Sequence, residues 1–202
     1  MKNFKTIELI NALQADTRQI ILTTKQLLGQ DPELLTAQPA PGKWSIAQAI
    51  EHLNAYGRYY LPAIKKGLDE SKTQPTEFFK PGWFGNYFTN AMKPSADKQV
   101  KNKMKAMKGY VPEIKLDSKK VLEEFLQQQY TLLELLERAS KHDLGKIRIP
   151  VSIAKIIKLK LGDTFRFLIA HHQRHFVQCE NTFLTLTETR QAVVPVEFAA
   201  SL

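Results

Sequence analysis

The chain has a single cysteine, Cys179, so it can form no internal disulfide, and such sparing use of cysteine fits a reducing cytoplasm. A lone thiol of this kind reads first as a small buried hydrophobe rather than as a nucleophile. No run approaches the roughly twenty apolar residues that a membrane-spanning helix needs, and no membrane partner is expected. The stretch from Met1 to Glu8 carries polar residues throughout and lacks the apolar centre of a secretory signal, so a cytoplasmic location is expected. A glycine-rich phosphate loop and a Ser-His-Asp arrangement are also missing, which leaves nucleotide binding and serine-hydrolase chemistry without a motif.

What is present is globular in composition. The 202 residues are 43% hydrophobic and 24% charged, enough for one domain over 1–202 with a sizeable core, and values that argue against disorder. The net charge of +9 is unevenly spread, because nine lysines face three acids between Lys93 and Lys120, a local excess of +6. Nucleic acid or an acidic surface could use such a segment. It has no arginine for base-edge readout, however, and Tyr110 is its one aromatic, so a solvated loop is the favoured reading and nucleic acid is not an expected partner.

Apolar residues recur at helical spacing in four long stretches. The first runs from Ile7 to about Leu28 and ends at Gly29. A connector with two prolines follows from Leu34 to Pro41. Ser45 and Gln48 make a capping box that opens the second helix, which continues to about Leu68 and should kink or reset at Pro62. Trp44 precedes that cap, placed to staple against Ala49 or to cover the end of the core. Ser118 to about Ser140 is the third helix. Asp163 is the expected N-cap of the fourth, which reaches about Leu184. Residues 144–162 alternate loosely and are read as extended chain with no sheet, and the tail after Leu186 as extended along the surface. About 71–117 forms a long crossover. Its aromatic run from Phe78 to Phe88 is expected to cover one end of the core, with a lid or a dimer surface as alternatives, and Asn86 to Met92 as a short helical turn. The fold class is therefore all-α: a four-helix bundle with a long crossover insertion between helices 2 and 3.

The chemistry points to the last helix. His171 and His175 are four apart and share a face with Leu168 and Gln178, with Phe167 and Cys179 at its edges. Two imidazoles stacked one turn apart can chelate a transition metal, although many such pairs bind none. His172 points about 100° away, to a flank or a neighbour, and Arg174 is expected on the outer side in a salt bridge or partner contact. His52 lies beside the buried stripe of the second helix, where a histidine alone reads as a core or flank residue. His142, just past the third helix, suits that helix C-terminus and is left out of the metal set.

Three stretches together resemble the DinB-like superfamily of bacterial metal-binding four-helix bundles. They are Lys43 to Leu53, with its Trp-Ser…His pattern; Lys158 to Asp163; and Ala170 to Gln178, with its His-x-x-Arg-His. The resemblance implies a divalent transition metal (zinc, nickel or iron) held by His52, His171 and His175. Three neutral imidazoles leave at least one coordination position open. It also implies a homodimer, and an activity such as metal-dependent transfer of a low-molecular-weight thiol, or a related hydrolysis or isomerisation, on small molecules. Tyr56, one turn after His52, and Gln178 are the candidates for substrate contact, and no catalytic residue is assigned. The alternative is a non-catalytic, stress-related metal-binding or interaction protein, with the histidines stapling the bundle and the crossover making contacts. The crossover lies outside the resemblance.

Overall fold

The computed structural model describes residues 3–94 and 105–188, so residues 95–104 of the lysine-rich segment and the tail expected to run extended beyond residue 188 lie outside the described residues. The chain is mostly helical. Its helices are α1 (Thr6–Leu28), α2 (Pro32–Thr36), α3 (Ile46–Asp69), α4 (Trp83–Met92), α5 (Ser118–Ala139) and α6 (Leu161–Thr187), with a 3-10 turn at Lys108–Tyr110. Four short strands accompany them: β1 (Phe4–Lys5), β2 (Phe78–Phe79), β3 (Arg148–Val151) and β4 (Ala154–Lys160). β1 pairs antiparallel with β2, and β3 with β4.

The four long helices form where the apolar periodicity places them. α1 and α3 each pack against both α5 and α6, and the core lies between them. Its largest fully buried members include Ile20, Ile50, Leu53, Tyr60, Phe125, Phe165 and Phe176. The capping box of α3 is complete: the Gln48 amide donates to Ser45 Oγ at 3.1 Å, and the Ser45 amide donates to Gln48 Oε1 at 3.0 Å. α3 continues unbroken through Pro62. That ring is exposed, and Arg58, the residue whose carbonyl loses a donor, is exposed too, so water can take the place of the missing amide.

Four expectations need correction. Most of the aromatic run, Phe78, Trp83, Phe84 and Tyr87, stays exposed instead of covering the core, with only Phe79 fully buried and Phe88 partly so. The proline-containing connector holds a short helix, α2, because the Asp31 side chain accepts from the Glu33 amide at 2.9 Å and Pro32 pre-sets the first turn. Residues 144–162 form a hairpin, with Ile149 opposite Leu159 and Arg148 opposite Lys160. The segment supplies its own partner strand by folding back, and Ile147, Ile149, Val151 and Leu159 turn inward. Lastly, Asp163 does not cap α6. The helix starts two residues earlier, and its first amides donate to the loop before the hairpin, Leu161 N to the Ile147 carbonyl at 3.0 Å and Gly162 N to the Leu144 carbonyl at 3.2 Å.

Asp163 is needed elsewhere. Its Oδ2 accepts from the Gly82 amide at 2.7 Å, and its Oδ1 pairs with Arg166 at 3.2 Å in a buried ion pair. Arg166 also donates to Asn86 Oδ1 at 3.1 Å and lies 4.8 Å from the centre of the Phe4 ring. These bonds draw the start of α4 onto α6. The approach is so close that a Cβ on Gly85 would overlap the Cβ and Cγ of Asp163, and one on Gly162 would sit 2.6 Å from the Phe79 ring.

In an exposed helix interior Gly→Ala stabilises by up to about 1 kcal/mol. At Gly85 the sign should reverse, with Gly85→Ala costing about 2 kcal/mol through overpacking against the Asp163 ion pair. Urea denaturation checks this, with exposed Asn90→Ala as a control expected to change stability by less than about 0.5 kcal/mol.

Candidate metal centre

His52 is fixed by the second turn of α3, and His171 and His175 by successive turns of α6. Packing of α3 on α6 brings them together across the core. The three donor atoms lie within 4.8 Å of one another. His171 Nε2 stands 3.3 Å from His52 Nε2 and 3.1 Å from His175 Nε2. All three residues are buried, at 4%, 4% and 8% exposure.

The surroundings decide which nitrogen carries the proton. A carbonyl only accepts, so His52 Nδ1, 2.7 Å from the Tyr110 carbonyl, must be the protonated nitrogen. His175 Nδ1 likewise donates to Gln178 Oε1 at 2.9 Å. The Nε2 atoms of His52 and His175 are then bare lone pairs aimed at His171. His171 Nε2 holds at most one hydrogen and can satisfy only one of them. His171 Nδ1 is buried and has no hydrogen-bond partner among the described residues. At least one of the two lone pairs is therefore left without a hydrogen from the cluster, and a cation at the point of convergence would satisfy both.

The spacing also suits a metal. Two nitrogens on a tetrahedral ion with bonds of about 2.0–2.1 Å stand about 3.3–3.4 Å apart. Burial favours the ligating form as well. It pushes the His175 imidazole down to about 3 and His171 well below its ordinary value, with neighbouring histidines adding to the effect. His52 is lowered by burial too, partly offset by the Tyr110 carbonyl. The three are neutral at pH 7 and available as ligands.

The walls are aromatic. Trp44 lies 5.0 Å from the His52 ring and stacks 6.1 Å from His175. Tyr56 meets His171 at 4.6 Å and His52 at 5.1 Å, and Phe167 stacks on His171 at 5.8 Å. Tyr110 covers Tyr56 at 4.3 Å. No carboxylate joins the cluster among the described residues.

The structure thus gathers His52, His171, His175, Tyr56 and Gln178 in one place, with Gln178 bonded to a histidine. His142 is not in the cluster. His172 is buried edge-on against Phe125 at 5.3 Å. Arg174, expected on the outside, is buried at 7% exposure. Two residues at the site were not anticipated there. Trp44 folds back from the α3 entry over the imidazoles, two turns from His52, and the helix-entry pattern could have suggested this. Tyr110 contributes a backbone carbonyl, which leaves no mark in the residue type.

A family model described as the DinB superfamily matches residues 13–179, a span that holds all five of these site residues. No curated protein and no solved structure matches the chain.

Two predictions concern the side chains beside the site. Burial holds His172 near a pKa of about 3, against about 6.5 unfolded, so between those values the unfolded chain binds the extra proton and acidification destabilises the fold. His172→Phe should remove about 2 kcal/mol of the stability lost between pH 6.5 and pH 5, read from urea melts in chelator. Burial also raises the Cys179 thiol to about 12. Ellman's reagent should therefore label Cys179 only as the chain unfolds, and rapid labelling of native protein would contradict this.

Proposed function

The chain belongs to the DinB superfamily, and from that premise we propose that His52, His171 and His175 hold one divalent metal, zinc, nickel or iron, and that the protein transfers a low-molecular-weight thiol to a small-molecule acceptor in the cytoplasm. On this reading the four long helices are a four-helix bundle, one domain with 71–117 as its crossover, and the protein works as a homodimer. The observation that carries the proposal is the convergence of three Nε2 atoms whose outer nitrogens are held, for two of the three, by hydrogen-bond acceptors. Such outer acceptors fix the tautomer and raise ligand basicity.

A bound divalent metal supplies a Lewis-acidic position that lowers the pKa of a thiol and keeps it as the thiolate. The chain's own residues do the rest. The Tyr110 carbonyl and Gln178 Oε1 hold protons at Nδ1 of His52 and His175, keeping Nε2 free. Trp44, Tyr56 and Phe167 exclude water from the imidazoles. Burial raises the Tyr56 hydroxyl to about 12, so at neutral pH it is a donor that can orient a substrate and not a base. The deep burial of Cys179 removes it as the nucleophile, which favours a separate small thiol.

A second reading has one observation in its favour. With each imidazole no more than 8% exposed, the metal could act as a structural staple in a non-catalytic stress or interaction protein.

The test begins with elemental analysis of protein purified without a histidine tag. Wild type should hold about one metal per chain, each of His52→Ala, His171→Ala and His175→Ala should lose it, and Gln178→Ala should weaken affinity roughly tenfold. Cobalt- or nickel-loaded protein should then develop sulfur-to-metal absorption on titration with small thiols. No metal after incubation with zinc or nickel would sink both readings, whereas bound metal with no response to any thiol would leave the staple.

A further inference from the structure

One face of the molecule has no role in the metal centre. α4 turns Gly85, Thr89 and Met92 inward, against α6 and β4. Its opposite side exposes Trp83 (66%), Phe84 and Tyr87 to solvent. Trp83 stacks on Tyr87 at 6.0 Å and meets Phe84 edge-on at 4.9 Å, yet all three stay uncovered. Phe78, just before α4, is exposed as well. β4 lies alongside, and Lys160 at its end donates to the Lys80 carbonyl at 2.7 Å, tying the strand to the stretch that enters α4. The hairpin also exposes Ile153 and Ile156, the latter 97% exposed.

Within two segments the charge has one sign, although Glu77 precedes Phe78, and Glu8 and Asp16 line the pocket that Phe78 and Lys93 share. From Phe78 to Ala96 the sequence has Lys80 and Lys93 and no acid. From Lys146 to Gly162 it has Lys146, Arg148, Lys155, Lys158 and Lys160 and no acid. We propose that α4 and the β3–β4 hairpin form a docking face for an anionic lipid bilayer.

Two arguments select that occupant. A second copy would meet this face through its own twin in a two-fold dimer, setting lysines against lysines. An anionic leaflet offers the complementary charge. The exposed residue types also match the headgroup boundary, where Trp and Tyr rings place an apolar body inward and a polar edge in water while lysines reach phosphates. Among the described residues no helix is long and apolar enough to cross a membrane, so the contact is with the surface.

The full chain is sedimented with phosphatidylcholine vesicles, with and without phosphatidylserine, at low and high salt. Wild type should bind the serine-containing vesicles, release them in high salt, and bind at least about tenfold more weakly as the triple variant Trp83→Ala, Phe84→Ala, Tyr87→Ala. Tryptophan emission should shift to shorter wavelength on those vesicles in wild type and not in Trp83→Phe, a variant that leaves the fold undisturbed should the triple variant prove unstable. Several outcomes would overturn the proposal. They are no binding to either vesicle, equal binding by wild type and a folded triple variant, dimerisation abolished by the triple variant without vesicle binding, and binding of DNA in place of vesicles.

Discussion

Three imidazole nitrogens that point at one another are an unfavourable arrangement unless something positive stands between them. His52 and His175 have each committed their proton to the outer nitrogen, and His171 cannot supply both missing hydrogens. The conflict lies in a water-poor interior, where an unmade polar contact costs most. Around it the fold spends its most specific contacts. A complete capping box sets the start of α3 and hence the rotation of His52. A carbonyl from the crossover and an amide from α6 then turn two of the rings. Arrangement of this kind costs stability in the absence of a cation and is repaid by one.

Among the described residues no carboxylate joins the cluster, and this has a chemical consequence. Three neutral histidines would leave the full charge of a divalent ion uncompensated inside aromatic walls of low polarity. A further ligand that carries negative charge gains more there than a neutral one. A thiolate would fit that requirement, as would hydroxide.

The parts of the fold that were legible in the sequence are those governed by local periodicity and local hydrogen bonding. α1, α3, α5 and α6 followed their apolar spacing, and Ser45 with Gln48 announced a cap that the structure contains. The histidine pair was visible because helix geometry alone stacks residues four apart. What stayed hidden depended on tertiary contact. Asp163 looked like a cap because acids favour helix starts, but α4 approaches so closely that the carboxylate serves the Gly82 amide and Arg166 instead. Arg174 looked external from its spacing, yet α6 is buried on nearly every side. The hairpin was missed because its partner strand lay within the same segment. Tyr110 acts through its backbone, which every residue shares.

The crossover is where these threads meet. Its first part, with β2 and α4, is bound to β1 by strand pairing and to α6 by the Gly82 amide donating to Asp163 and by Arg166 donating to Asn86. Its last part places Tyr110 on His52 and lets the Glu113 carbonyl accept from Gln48 at 3.2 Å, next to the capping box. Both ends are thus anchored on the two helices that carry the histidines, and the chain between holds much of the lysine excess. A long connecting segment with no structural duty would be expected to attach loosely and to tolerate change. This one closes one side of the imidazole cluster at 2.7 Å, so its conformation and the orientation of His52 cannot vary independently.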